Sequence, residues 1–272
     1  MLVQSIATLP RLAMPVEKVL DWLQKTGFPL EMEAASAFRR AGFDVRQSFT
    51  YPDPQSEKGR EIDVLATNPD IVGVIDVSFV VECKASPNPW VVLTSEDALS
   101  NYNRLFAFAV TSNAASEALS ARWRQGLGKI SPYIERPTRG GYGFRQAFGK
   151  DNDPAYSAAV AVMKACRGVA QDREGIPRLA FAFPIIVVDS PLFECSLREN
   201  GVGLHLTEVE QSDFLFSVHI PEQVGCCVKV VTRKHLNSFT CWAKQLADAF
   251  STELQHEEDM AFKKHSHTGN GT

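Results

Sequence analysis

Apolar residues recur at helical spacing in the first forty positions and then switch to a period of two. The sequence predicts a first helix from about Val16 to Lys25, ending at Gly27. A second runs from Pro29 to about Ala41, with Gly42 as its stop. In that second helix Leu30, Ala34, Ala37, Phe38 and Ala41 fall on one face, which predicts burial of that face. From Phe43 the alternation Phe43, Val45, Phe49 predicts a strand, and Tyr51-Pro52-Asp53-Pro54 with Gly59 predicts the loop after it. Arg60 to Ala66 reads as a second strand, Asn68-Pro69-Asp70 as a turn, and Ile71 to Lys84 as a buried third strand.

Thr94-Ser95 before Glu96-Asp97 has the composition of a helix start, so a helix is expected from there to about Val110. Leu179–Val188 is apolar throughout and predicts a fourth strand. Residues 113–177 are expected as a helical insert, with Gly140-Gly141-Tyr142-Gly143 as a pliable loop. Its helix, from about Pro154 to Ala170, would carry Tyr156, Ala159, Val160, Met163 and Cys166 on one face. Short strands are expected at Leu192–Leu197, Leu204–Val209, Phe214–Ile220 and Cys227–Thr232. They lead to a helix from His235 to Leu254, whose seam Leu236, Phe239, Ala243, Leu246 and Phe250 is expected to dock on the chain's own sheet. The alternative for that seam is a coiled coil between two subunits. The polar tail from His256 is expected to be loose.

These elements predict an α/β protein of one domain. Its core spans residues 28–112 and 178–190, with the insert at 113–177, a C-terminal β/α extension at 191–256 and a tail at 257–272. The longest apolar run has ten residues and contains Pro184, well short of the roughly 18 needed to span a bilayer, so no membrane is expected. The first residues lack the pattern of a secretory signal, and Cys83, Cys166, Cys195, Cys226, Cys227 and Cys241 contain no CxxC pair. Buried thiols in a reducing cytoplasm are the expectation. The formal charge of −4 excludes a basic field over the whole surface, so a polyanion would have to meet a local patch.

The chemistry is concentrated in Gly59-Arg60-Glu61-Ile62-Asp63-Val64-Leu65 and Val80-Val81-Glu82-Cys83-Lys84. On a strand Glu82 and Lys84 share a face, and Asp63 stands between apolar neighbours. Such charges are costly to bury unless they serve each other or a metal. Two carboxylates about 4 Å apart repel by about 4 kcal/mol at an effective dielectric of 20. A hard divalent cation reverses that sign, and Mg²⁺ prefers carboxylate ligands. Asp76 lies about 20 Å from Glu82 along the strand, too far to share an ion.

This pattern resembles the PD-(D/E)XK nuclease superfamily, over Leu30 to Val110 plus Leu179–Val188. The carrying residues are Leu30-Glu31-Met32-Glu33 on a helix ending Ala41-Gly42-Phe43, then Glu61-Ile62-Asp63, then Glu82-Cys83-Lys84. The spacing from the helix glutamate to Gly42 looks most like Holliday-junction resolvase and Mrr-type members. The resemblance implies a restriction-endonuclease-like mixed sheet flanked by helices and a Mg²⁺-dependent DNA endonuclease, with Mn²⁺ as a substitute ion and RNA as an alternative substrate. It implies Asp63, Glu82 and the Cys83 carbonyl as metal ligands, and Lys84 as the group that orients or deprotonates the attacking water. Glu31 matches the helix acid of many members; Glu33 is the alternative, since only one of them can face the sheet. No proline precedes Asp63. Asp70, which follows Pro69 and lies 12 residues before Glu82, is set aside because it belongs to a turn. Cutting both strands of a duplex would further imply a homodimer. The alternative is an inactive relative of the fold that binds nucleic acid or a protein partner.

Arg122-Trp123-Arg124, Lys129, Arg136, Arg139 and Arg145, with Tyr133, Tyr142 and Phe144 interleaved, make a candidate nucleic-acid surface. Asn101, Tyr102, Asn103 and Arg104 are weaker candidates for a phosphate. His205, His219 and His235 are isolated, and His265-Ser266-His267 reads as tail composition.

Overall fold

The computed structural model describes residues 15–53, 59–96, 98, 107–126, 128–134, 139–149, 153–171, 178–220 and 222–268. Helices α1 (Val16–Gln24) and α2 (Phe28–Arg40) lead into a meander of β1 (Asp44–Pro52), β2 (Gly59–Thr67) and β3 (Ile75–Lys84). Gly42, with φ +92°, makes the exit from α2 that a β-carbon would strain. Then follow β4 (Trp90–Ser95), β5 (Val110–Thr111), α3 (Asn113–Trp123), a 3-10 turn at Gly128–Tyr133, β6 (Gly140–Gln146) and α4 (Pro154–Val169). The chain closes with β7 (Leu179–Val188), β8 (Leu192–Leu197), β9 (Leu204–Val209), β10 (Gln211–Ile220), β11 (Glu222–Thr232), α5 (Leu236–Glu253) and α6 (Gln255–Thr268).

All the described strands join one mixed sheet in the order β1-β2-β3-β7-β11-β10-β6-β4-β8-β9, with β5 paired to β7. The sheet is flanked by helices on both faces, which defines an α/β protein. Strand β7 shows how the faces are divided. Its Phe181, Phe183, Ile185 and Val187 pack in one core with α2, α3 and α5, while Ala180, Ala182, Ile186 and Val188 pack in the other with α4. Parallel β3 and β7 pair from Ile75↔Leu179 to Lys84↔Val188. On its other edge β7 meets antiparallel β5 at Phe181 and Ala182, then parallel β11 from Ile185 onward. On that edge Pro184 falls at the changeover between those two neighbours.

The seam of α5 is buried on the chain's own core, as expected: Leu236, Phe239, Ala243, Leu246 and Phe250 are each at most 4% exposed. Four expectations need correction. Thr94 and Ser95 end strand β4, and Val110 belongs to β5, because Trp90, Val92 and Thr94 alternate inward and β6 supplies an antiparallel partner. Residues 97 and 99–106, including Asn101 to Arg104, lie outside the described residues, as does Arg136. Residues 113–177 are not a purely helical insert, since β6 lies inside the sheet and α3 and α4 cover opposite faces. Gly140-Gly141-Tyr142-Gly143 is strand, not loop. A β-carbon on Gly141 would come within 2.5 Å of the Asp213 carbonyl oxygen and of Val92 Cγ1, so glycine there permits close backbone approach. On α4, Ala159, Met163 and Cys166 of the expected face are buried, with Ala155, Ala158 and Val162 beside them, while Tyr156 is 55% exposed. Finally, the tail is helix α6 as far as Thr268, with Glu257 and Glu258 in its first turn favouring the positive end of the helix dipole.

Candidate active site where the second and third strands part

The β2–β3 ladder runs from Thr67↔Ser78 to Val64↔Val81. One residue further in the same register, Asp63 faces Glu82. There the main-chain pairing ends: Asp63 Oδ2 accepts the Cys83 N–H at 2.7 Å, taking the place of the next rung's carbonyl. An aspartate among apolar residues is thereby explained locally, because its carboxylate satisfies a backbone donor that the parting strands would orphan. The change also shows in packing. Val64 and Ala66 belong to the core under α2, whereas Ile62 joins Leu65 in the core under α4.

Glu82 and Lys84 share the α4 face of β3, and Lys84 Nζ donates to Glu82 Oε1 at 2.6 Å. Glu31 on α2 feels the charges of Asp63, Glu61, Glu82 and Lys84, and its carboxyl is raised by burial and then by those acids. Glu33 points elsewhere and pairs with Arg233 beyond β11. Of the two helix acids, Glu31 is the one beside the strand carboxylates. Asp63 is raised chiefly by burial, against the lowering effect of the Cys83 N–H and of Lys84. Glu82 is raised by burial and by Asp63, which outweigh its bond to Lys84. The Cys83 thiol, buried among these acids, is pushed well up and stays protonated.

Among the described residues no three His, Cys, Asp or Glu side chains are grouped to hold one ion. The donor set of Asp63 and Glu82 suits Mg²⁺ nonetheless, because that ion keeps several waters and asks for only one or two carboxylates. Each carboxylate has one oxygen engaged, by Cys83 N–H and by Lys84 respectively. Their mutual field is the kind that a cation relieves, and the main-chain carbonyl of Cys83 is a further oxygen on the same strand.

Asp70 accepts N–H bonds from Val72, Val74 and Ile75, so it holds the turn before β3. Asp76 pairs with Arg178 at 3.2 Å, away from the strand end.

The cationic residues expected in one patch are dispersed. Arg122 is bound to Glu253 of α5 at 2.5 Å, next to Arg124 and the 45%-exposed Trp123 at the end of α3. Arg145 pairs with Asp153 at 3.5 Å. Arg139 precedes the other end of β6, about 20 Å from Arg145 along the strand, and lines a cleft of about 500 Å³ with Arg198 and His205.

Sequence reasoning missed Asp53, Arg60 and Lys164, which form an ion-pair network on the α4 side of the parting strands. The one available signal was Lys164 itself, a lysine inside the otherwise apolar stretch Ala158–Cys166.

The six cysteines are free thiols, four of them buried. Among the described residues no helix is long and apolar enough to cross a membrane. Comparison with family models, with curated proteins and with solved structures returned no match.

Proposed function

We propose that this chain is a Mg²⁺-dependent DNA endonuclease of the PD-(D/E)XK type, with a restriction-endonuclease-like core. The observation that carries the reading is the opposition of Asp63 and Glu82 where β2 and β3 part, with Lys84 on Glu82 and Glu31 alongside. The neighbouring order β1-β2-β3-β7, with α2 and α4 on opposite faces, supports it at the level of architecture.

In this reading a water attacks the phosphorus in line, a P–O bond forms and the opposite P–O bond breaks. A divalent ion at Asp63 and Glu82, Mg²⁺ or Mn²⁺, would supply charge neutralisation for the crowded phosphorane-like state. Lys84, fixed by Glu82, orients the attacking water and places its ammonium where negative charge grows. Glu31 accepts a hydrogen bond from that water and takes its proton as the new P–O bond forms, and the leaving oxygen takes a proton from solvent. Double-strand cutting on this scheme uses two copies of the chain. RNA would submit to the same chemistry, and cleavage of a matched RNA duplex distinguishes the two substrates.

The closed Lys84–Glu82 pair favours one second reading, an inactive relative that binds DNA or a protein without cutting. Supercoiled plasmid in Mg²⁺ separates the two. The parent protein should nick it, and Lys84→Ala or Asp63→Ala should slow nicking by at least about 100-fold. Binding without any cleavage by the parent, in Mg²⁺ or Mn²⁺, supports the second reading; equal cleavage by parent and Lys84→Ala rejects the assigned site.

A further inference from the structure

Beside the carboxylates, on the α4 side, one acid, Asp53, pairs with two cations among the described residues. Asp53, just past β1, is 4% exposed and Lys164 on α4 is 6% exposed. Lys164 Nζ lies 3.2 Å from Asp53 Oδ1 and 3.3 Å from Oδ2. Arg60 Nε pairs with Oδ2 of the same aspartate. A lysine this buried is stable only with its counter-ion, so the charge of Asp53 is committed to Lys164. Among these three residues the charge left uncancelled is that of Arg60, whose side chain is 53% exposed.

Three other arginines each have an acid partner of their own. Arg233 is held by both oxygens of Glu33, Arg122 by Glu253 and Arg145 by Asp153. Arg60 is also the one nearest the parting strands in sequence. It stands three residues before Asp63 on β2, about 10 Å away along the strand, and pairs with Tyr51 in the ladder. The phenol of the buried Tyr51 is pushed up to about 12 by burial, against the lowering effect of Arg60, and it also feels the charges of Asp53 and Glu82. Tyr51 Oη also donates to the Ala161 carbonyl of α4, a second tie between the hairpin and the helix.

Resting on the nuclease reading, we infer that Arg60 is a phosphate clamp. It binds the backbone phosphate next to the one being cut, and Asp53 with Lys164 is the positioning pair that holds its guanidinium. A planar guanidinium fixed through Nε is suited to a phosphate's paired oxygens, and the buried pair spares it the entropy of a free side chain.

The test is binding of a short fluorescent duplex DNA in fixed Ca²⁺ across a salt series, in a Lys84→Ala background that does not cut. Arg60→Gln should make the plot of log affinity against log salt shallower by about 0.9, the loss of one phosphate contact. Arg60→Lys should restore most of that slope. Asp53→Asn with Lys164→Met removes both buried charges together and should shift the slope as Arg60→Gln does, at a melting temperature that reports an intact fold. Arg60 is exposed, so Arg60→Gln decides the matter even if the double variant fails to fold. An unchanged slope with Arg60→Gln overturns the clamp while leaving plasmid cleavage by the parent, and hence the nuclease reading, intact. A parent that neither binds duplex nor cuts it overturns both.

Discussion

Burial, with repulsion from neighbouring acids, raises the proton affinity of Glu31, Asp63 and Glu82 in the folded protein. A carboxyl raised on folding stabilises the fold below its unfolded value, and that stability is lost as pH rises through the folded value. At neutral pH these acids therefore cost stability. Glu82→Gln removes one charge while keeping the shape, so thermal melts at pH 7 without divalent ions should show a gain on the order of 1 kcal/mol. The gain should vanish as pH falls below the ordinary glutamate value of 4.5. A variant less stable than the parent at pH 7 would mean that the Lys84 bond dominates the site. The acids were legible in the sequence because a charge on an apolar strand has few explanations. Asp53 and Lys164 were not: they are 111 residues apart, and nothing local to either announces the other.

At the scale of elements, the helices and strands with a sustained apolar period formed where the pattern puts them, α2, β3, β7 and α5 among them. The failures came where a distant partner outweighed a local signal. Thr94-Ser95-Glu96-Asp97 has the composition of a helix start, yet Thr94 and Ser95 extend β4 because β6, some 45 residues later, offers them a ladder. Glycines at 140, 141 and 143 signal a loop until the neighbours on each side are known. Gly141 packs its bare backbone against Asp213 and Val92. Gly141→Ala should therefore destabilise the protein by about 1–3 kcal/mol through overpacking, measured by urea unfolding. Gly143→Ala, whose β-carbon would meet only Leu93 at 3.5 Å or more, should be milder. Equal effects would show that strand propensity, rather than close approach, sets the cost. The tail became helix α6 by an opposite route, its acids in the first turn agreeing with the dipole in a segment of little apolar content.

For the whole molecule, the sheet gathers residues from four separate stretches at the carboxyl end of β3. Asp63 comes from β2, Glu82 and Lys84 from β3, Glu31 from α2, and the Arg60 network ties in α4. Order along the chain announced the first three stretches, since a helix and a three-strand meander bring consecutive elements side by side. It did not announce α4, whose place depends on the long crossover that parallel β3 and β7 require. Nor did it reveal that Arg122 and Arg124 at the end of α3 would lie apart from Arg139 and Arg145 at the two ends of β6, because cation spacing in a chain carries no information about faces of a sheet. The claim on which the account turns is that Asp63 and Glu82 together bind a divalent cation. Calorimetric titration with Mn²⁺ tests it most directly: the parent should bind with measurable heat, and Asp63→Asn should abolish the signal. Equal binding by both proteins, or none by the parent, would contradict it.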